Sequence, residues 1–457
     1  MNEAGRLNFS LRVRRWAVLR PLFLVVVLSG CLASDSKPSA PASPETFTDF
    51  ARDVARWREL SLDQPLGLQY LTGEIAAETP PAAPLAQFET AYKTIGLLPD
   101  SADLQAALME YRKLIGLIVY DEAKKLIIVS TDAARLGAPL APSRPAAARE
   151  LPAAIGVVRA LQQRRFHWRQ KMLASASAER RAALGAVTMG DALLAAVSRA
   201  LAEKPQPAHL TLLAQVAAEV ERGGRRLPDF LRQRAALPYR EGSQFVYWAF
   251  AARGWPGVDA LYDDPPHTTA QILHPETFFI RRAAPLNFFP AALLRRLKDH
   301  SLNEDAIGEL SFRALLESAL GADRAAEAAA DWRGDQLFAF QRAGESDLFW
   351  FSAWRDEAAA EKFLSAHRQV LEDGKRLRFE RVAQAKDLAL IGAGRDERAW
   401  LLQRRGHLVL AAHGANASRV TELAQDAWRD LEVEAEPSAV RFESARRNGN
   451  QFSLRRW

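Results

Sequence analysis

The sequence predicts an α+β protein, with a mainly helical body carrying one small β-hairpin and a C-terminal α+β module whose sheet is antiparallel. Three observations predict it. From Phe47 onward, apolar residues recur every three or four positions, the spacing that gathers them on one face of a helix. Two β-branched runs, 117–120 and 126–129, flank the polar turn Asp121-Glu122-Ala123-Lys124-Lys125 and read as a hairpin. Beyond Asp331 the texture changes, and short strands alternate with helices in the manner of an α+β module.

In order along the chain, residues 46–70 carry Phe47, Phe50, Val54, Trp57 and Leu60 at helical spacing, and a Pro-Ala stretch at 80–84 breaks that pattern. Helices are expected at 88–97 and 104–115, separated by Pro99-Asp100-Ser101, with Ser101 or Asp103 as the cap. The hairpin follows. A proline-rich loop at 139–152 then leads to helices at 153–176, 182–203 and 210–222, with Pro205 and Pro207 ending the second. Residues 239–250 read as a helix running into Gly254-Trp255-Pro256-Gly257, and Asp263-Asp264-Pro265-Pro266 caps a short helix from Thr268. In the module, strands are expected at 337–341, 348–354, 388–392, 399–403 and 408–412, with helices at 357–372 and 418–431; Trp350, Trp354 and Trp400 are expected in its core. No repeat of fixed period is present.

The chain has 457 residues, 48% hydrophobic and 25% charged, enough for a sizeable core and more than one domain. One cysteine excludes a disulfide framework and any Cys-rich zinc module. The net charge of +6 does not point to nucleic acid, because of where the charge lies. Five arginines and one glutamate fall within residues 1–30, so removing that segment takes away +4 and leaves 56 basic against 54 acidic side chains. The remaining basic clusters, Arg222 with Arg225-Arg226, Arg281-Arg282, Arg446-Arg447 and Arg455-Arg456, are short and scattered. They read as solvated surface or as contacts to an anionic envelope polymer.

Residues 1–20 are arginine-rich and are followed at once by an apolar run at 22–28, the n-region and h-region of a secretory signal. The run is far short of the roughly 20 residues that span a bilayer. It ends in Leu28-Ser29-Gly30-Cys31, a string that resembles a bacterial lipobox. The resemblance implies that the signal, residues 1–30, is cut before Cys31, that the Cys31 thiol is diacylated and the new amino terminus acylated, as with palmitate. With Leu32 and not aspartate after the cysteine, it also implies sorting to the outer membrane, facing the periplasm. The alternative is an ordinary signal with Cys31 present by chance. Residues 31–45 are rich in Pro and Ser and read as a semi-extended tether.

Several strings occur in one order: the hairpin at Tyr120-Asp121, Ala160-Leu161-Gln162-Gln163-Arg164-Arg165-Phe166, Val187-Thr188-Met189-Gly190-Asp191-Ala192, Tyr239-Arg240-Glu241-Gly242-Ser243-Gln244-Phe245-Val246, residues 265–276 and residues 328–335. Together they resemble a poorly characterised group of bacterial and archaeal zinc-metallopeptidase-like proteins of zincin type. That group carries H-E-L-x-H-A-L-Q-D-Q-x-F, E-G-D-A, Y-x-E-G-x-x-F-V, P-P-x-S-T-E-Q-I-L-H-P-E and A-A-x-G-W-G-G-D. The similarity covers about residues 85–415, and its most specific part is Gln271-Ile272-Leu273-His274-Pro275-Glu276.

The zinc chemistry of such a fold needs two histidines one helical turn apart and a glutamate beside the first. Under the resemblance, Ile155 and Arg159 stand at the histidine positions, Gly156 at the glutamate and Met189 at the acidic third ligand. None fits: isoleucine cannot coordinate, methionine is a soft ligand and arginine repels a dication. No two of the eight histidines are four residues apart; His267 and His274 are seven apart. His274, Tyr239 and Asp191 are the candidates for lining the old cleft, with ordinary structural roles as the alternative for each.

No G-x-S-x-G, Walker loop or G-x-G-x-x-G is present. The expectation is therefore a signal at 1–30, a tether at 31–45, a helical metallopeptidase-like domain at 46–330 without its catalytic motif, and an α+β module at 331–457. The expected function is binding or scaffolding at the cell envelope, without catalytic residues, metal or cofactor. Its partners would be the membrane through Cys31 and an envelope protein or anionic envelope polymer, not nucleic acid. The alternative is a hydrolase using a relocated metal or a metal-free site in the same cleft.

Overall fold

The computed structural model describes residues 44–435 apart from 74, 76–81, 176, 282, 343–344, 383–386 and 395–397. Cys31, the signal, most of the tether and the basic doublets at 446–447 and 455–456 lie outside these residues. In chain order the elements are α1 (Pro44–Arg58), β1 (Gly67–Leu71), α2 (Ala82–Ile95), α3 (Leu104–Ile115), β2 (Ile118–Asp121), β3 (Leu126–Ser130), a 3-10 helix (Thr131–Leu140), α4 (Pro145–Phe166), α5 (Trp168–Ala174) and α6 (Ala178–Leu201). Next come α7 (Pro207–Gly223), α8 (Asp229–Ala236), a π-turn (Pro238–Gly242), α9 (Ser243–Asp263), α10 (Thr269–Leu273), α11 (Pro275–Phe279), β4 (Leu286–Pro290), α12 (Ala291–Arg296), β5 (Ser301–Asp305), α13 (Gly308–Leu320) and α14 (Ala322–Ala329). The chain continues through β6 (Trp332–Arg342), β7 (Glu345–Trp354), α15 (Glu357–Lys375), β8 (Phe379–Arg381), β9 (Leu388–Ala393), β10 (Ala399–Arg405), β11 (Leu408–Gly414), α16 (Ala417–Trp428) and β12 (Leu431–Ala435).

This is an α+β fold. Its main sheet is antiparallel throughout, in the order β5-β6-β7-β11-β10-β9-β8. Alternation along the strands sends side chains to two buried faces. Trp350, Trp354, Trp400 and Leu402 point into the large core shared with the helices, against Phe312 and Phe363. Phe338, Phe340, Phe349, Phe351 and Leu401 form a second core with Phe288, Leu293 and the apolar side of α16. At the centre of the helical part lies α6. It is long and apolar enough to cross a membrane by composition, yet it is mostly buried inside the protein.

Four sequence expectations are corrected. The helix expected over 46–70 ends at Arg58: Glu59 turns left-handed at φ 57°, and after Pro65 the chain runs as β1, parallel to β3. The expected loop at 139–152 is mostly helical. A 3-10 helix runs to Leu140 and α4 opens with Pro145 at its first position, where a missing N–H costs nothing. Pro152 then sits within α4, where its ring frees the carbonyl of Ala148; Gly137 packs so close to that carbonyl that a Cβ would lie 2.1 Å from its oxygen. The helix expected over 153–176 is two, parted at His167, which has φ 51°. Finally, the sheet does not begin at 331: its edge strand β5 comes from 301–305.

Histidine 367 on α15 joins the helices to the sheet. Its ring stacks on Phe363 and meets Trp350 and Trp400 edge-on, and its Nε2 lies 3.1 Å from the Ile95 carbonyl, which can only accept, so the proton sits there. Burial lowers its pKa to about 4. The unfolded chain therefore binds a proton that the folded chain refuses between about pH 6.5 and pH 4. Stability is expected to fall by about 3 kcal/mol over that window as the pH drops. Urea unfolding of the wild type and of His367→Asn across these pH values checks it; an unchanged acid-side slope in the variant would remove His367 as the cause.

Candidate functional site

The turn that presents His274 is dictated by its neighbours. Thr268 caps α10 by accepting from the Gln271 N–H at 3.3 Å. Residues before a proline are driven out of the α region, and His274, preceding Pro275, has φ −128° and ψ 75°. Pro275 then begins α11. Thr277 closes the turn, its N–H and hydroxyl both donating to the His274 carbonyl, at 2.8 and 2.7 Å. Gln271 braces the other side: its Oε1 accepts from the His267 N–H at 2.6 Å and its Nε2 donates to the Ala283 carbonyl at 2.8 Å.

Helix α13 brings Glu309 to this turn. Its start is fixed by Asp335 of β6, whose carboxylate accepts from the N–H groups of Ile307 and Gly308 at 2.9 and 3.0 Å and from the indoles of Trp332 and Trp350 at 3.2 and 3.0 Å. Gly308 has φ 79°, and a Cβ there would lie 1.8 Å from Glu179 Cδ, so no other residue fits. Glu179 accepts from the N–H and hydroxyl of Thr269 at 2.8 and 2.9 Å, tying α10 to α6; burial pushes its pKa up to about 8.

Glu309 is fully buried. Its Oε1 lies 2.9 Å from His274 Nε2 and accepts from Arg313 Nε and Nη2 at 3.0 and 2.6 Å. The other oxygen, Oε2, is buried without a hydrogen-bond partner. Next to an ionised carboxylate, Nε2 carries the imidazole proton and Nδ1 is left as the acceptor. The hydrogen bond to Glu309 raises the pKa of His274, with burial opposing it.

His274 and Glu309 line a cavity of about 260 Å³. Ala270, Ala283, Pro285 and Trp332 give it apolar walls; Arg281, Arg333, Arg355, Glu276 and Asp331 supply charge. Arg333 enters through a β-bulge, since Trp332 pairs with Trp354 and Gly334 with Ala353, which leaves residue 333 as the extra one. Gly334 allows β4 to cross beneath the bulge, for a Cβ there would lie 2.2 Å from the Leu286 carbonyl oxygen. Arg333 and Asp331 occupy positions at which the resembled A-A-x-G-W-G-G-D string has glycine.

Of the three candidate cleft residues, only His274 borders this cavity. Asp191 is fully buried, accepting from Arg58 Nε and Nη2 at 2.6 and 3.0 Å, from Gln162 Nε2 at 3.0 Å and from the Tyr262 hydroxyl at 2.8 Å. Tyr239 is buried in the helical core, where burial raises its pKa to about 12. The four positions that the resemblance sets under the zinc ligands and the base lie in packed structure. Ile155 is 0% exposed, Met189 is buried, and a Cβ on Gly156 would lie 2.4 Å from Ile127 Cγ2. Arg159 lies over the Trp168 ring at 5.1 Å, and burial lowers its pKa to about 10. These side chains offer no donor set for zinc, and among the described residues no three His, Cys, Asp or Glu side chains are placed to hold a metal ion. His267 is engaged instead by Arg180, whose Nη2 lies 2.9 Å from Nδ1.

Glu309, Arg313, Arg333 and Asp335 were not singled out in the sequence. The Glu309–Arg313 spacing of four residues was the one local signal for a charge pair; the bulge leaves none.

A family model described as a domain of unknown function (DUF8575) matches residues 295–424. That span contains the main sheet and the Glu309, Asp331, Arg333 and Arg355 wall of the cavity, while His274 and Arg281 precede it. No curated protein and no solved structure matches the chain.

Removing one partner from a buried ion pair strands the other charge, at about 3–5 kcal/mol. Asp191→Ala is expected to cost that much in urea unfolding, and the double variant Arg58→Met/Asp191→Leu to recover most of it. A loss below about 1 kcal/mol in the single variant would mean that Asp191 is not structural.

Proposed function

We propose that this chain is a lipid-anchored protein of the cell envelope, held through Cys31 on the periplasmic side of the outer membrane, that binds a small ligand in the His274 cavity on a metallopeptidase-like fold. It carries no peptidase chemistry. The observation that supports this most is a separation in space. The positions that hold zinc in the resembled proteins are packed into core, whereas the cavity is built from the Gln271 to Glu276 string and the start of β6. A 260 Å³ cavity with apolar walls and a few convergent polar groups is the usual form of a small-molecule site. The membrane is one partner; an envelope protein or anionic envelope polymer is the second.

A second reading, a hydrolase without metal, draws on the His274–Glu309 pair. A histidine held by a buried carboxylate, with its second nitrogen free to accept, is the arrangement of a general base. It requires metal-independent turnover that is lost in His274→Gln.

Two measurements test the proposal. Metal analysis of the purified protein is expected to find no stoichiometric zinc; stoichiometric zinc that disappears in His267→Ala or His274→Ala would overturn it. Cys31→Ser is expected to abolish lipid labelling and to release the protein from membranes, because two or three acyl chains at about 0.8 kcal/mol per buried CH₂ supply the anchor. Continued labelling of that variant would sink the anchor assignment.

A further inference from the structure

The charged groups around the cavity are not all paired, and the unpaired ones select a class of ligand. Arg355 is neutralised by Asp331 at 2.6 Å and by Asp356 at 2.9 Å. Behind the wall, Arg313 and Glu309 neutralise each other at 2.6 Å. This leaves Arg281, Arg333 and Glu276 among the charged residues that line the cavity. Neither guanidinium has an ion-pair or hydrogen-bond partner among the described residues. Counted together these groups sum to zero when His274 is neutral and to one cation in excess when it is protonated, but the two guanidiniums left without an ion-pair partner are both cationic. Beside these charges stand Trp332, Ala270, Ala283 and Pro285, which offer apolar surface but no hydrogen-bonding side chain other than the Trp332 indole, already donated to Asp335.

We infer that the cavity binds a small organic monoacid, its carboxylate paired with Arg333 and Arg281 and its apolar body laid against Trp332 and the Ala283 to Pro285 segment. This rests on the cavity being a binding site, as proposed above. Arginine's planar fork matches a carboxylate with two parallel hydrogen bonds, and the bulge that turns Arg333 to the cavity holds it on a rigid strand and not on a loop. Glu276 sets the limit on charge, since a second acidic group would meet it.

His274 makes the binding sensitive to pH. The groups around it are Glu309 and Arg313 on α13, Glu276 on α11, Arg281 after α11, Arg333 and Asp331 at β6, and Arg355 after β7. The bond to Glu309 holds the imidazole pKa above its usual value. An anion in the cavity favours the protonated ring, so binding tightens as pH falls through that titration and weakens as pH rises beyond it.

Titration calorimetry of the full chain with hexanoate and with uncharged hexanamide tests this, on the wild type, Arg281→Ala/Arg333→Ala and His274→Gln, at about pH 6 and pH 8.5. Hexanoate is expected to bind about tenfold or more tightly than hexanamide, the preference to vanish in the double arginine variant, and the pH dependence to vanish in His274→Gln. Arg281 is exposed and Arg333 half-buried, and an unchanged melting temperature of the double variant keeps the comparison clean. If hexanamide binds as well as hexanoate, the acid assignment is wrong while the binding reading stands. If neither binds the wild type, both fall. A pH dependence that survives in His274→Gln overturns the role of the histidine.

Discussion

The candidate site depends on one buried carboxylate. Asp335 divides four donors between its two oxygens: Gly308 N–H and the Trp332 indole on one, Ile307 N–H and the Trp350 indole on the other. It is 2% exposed, and burial raises its pKa to about 6 even with all four bonds made. A carboxylate so placed satisfies the otherwise orphaned N–H groups at the start of α13 and complements that end of the helix dipole. It also pins two large indoles that would otherwise be free to repack. Glu309 is the next residue after the two it caps, so the position of His274 follows from strand β6 through a short chain of contacts.

A second polar cluster does different work. Arg58 of α1, Asp191 of α6, Gln162 of α4 and Tyr262 of α9 meet with no exposure to water, and Arg58 reaches Asp259 as well, at 2.6 Å. Trp255 covers the guanidinium at 4.5 Å. Four helices that cross near one point are thereby given one arrangement. Where backbones approach closest, glycine is required: a Cβ on Gly190 would lie 2.6 Å from the Gly242 carbonyl. Buried ion pairs add little net stability over apolar side chains of the same shape, but they penalise every alternative packing that separates them. Such a cluster leaves no room for a cleft beside Asp191, which is why the cavity lies elsewhere, at the junction with the sheet.

Sequence periodicity made most of the fold legible. The hairpin, α3, α6, α7 and strands β6, β7, β9, β10 and β11 are where hydrophobic spacing puts them, and of the two cap candidates Asp103 accepts from the Ala106 N–H at 2.8 Å. The misreadings have local causes. Left-handed turns at Glu59 and His167 end helices without the glycine that usually marks such an end, and Pro152 belongs to the interior of a helix that its presence argues against. Strand β5, with the alternation Ser301-Leu302-Asn303-Glu304-Asp305, has too little apolar character to announce itself. The site was half visible. His274 stood out in a specific string, but its partner Glu309 comes from 35 residues away, and Arg333 reaches the cavity only because a bulge adds a residue to one strand. Neither long-range pairing nor a bulge has a signature in spacing.

The energetics favour a ligand at the arginines over any further internal pairing. An exposed ion pair contributes between nothing and about 1 kcal/mol, so closing Arg281 or Arg333 onto a neighbouring carboxylate would have added little to stability. A bidentate contact to an acid in a partly enclosed cavity acts at lower effective dielectric and is roughly twice as strong as a neutral hydrogen bond. Glu309 receives both of its neighbours, His274 and Arg313, on one oxygen and leaves Oε2 unused. A buried acceptor without a donor costs about 1–3 kcal/mol. That cost falls on a residue of the cavity wall, and it is relieved where ordered water supplies the donor. Two unpaired guanidiniums and an unfilled acceptor thus belong to residues lining the same 260 Å³; the Asp191 and Asp335 carboxylates are closed by donors of their own chain, while Glu179, away from the cavity, also leaves its Oε1 without a hydrogen bond.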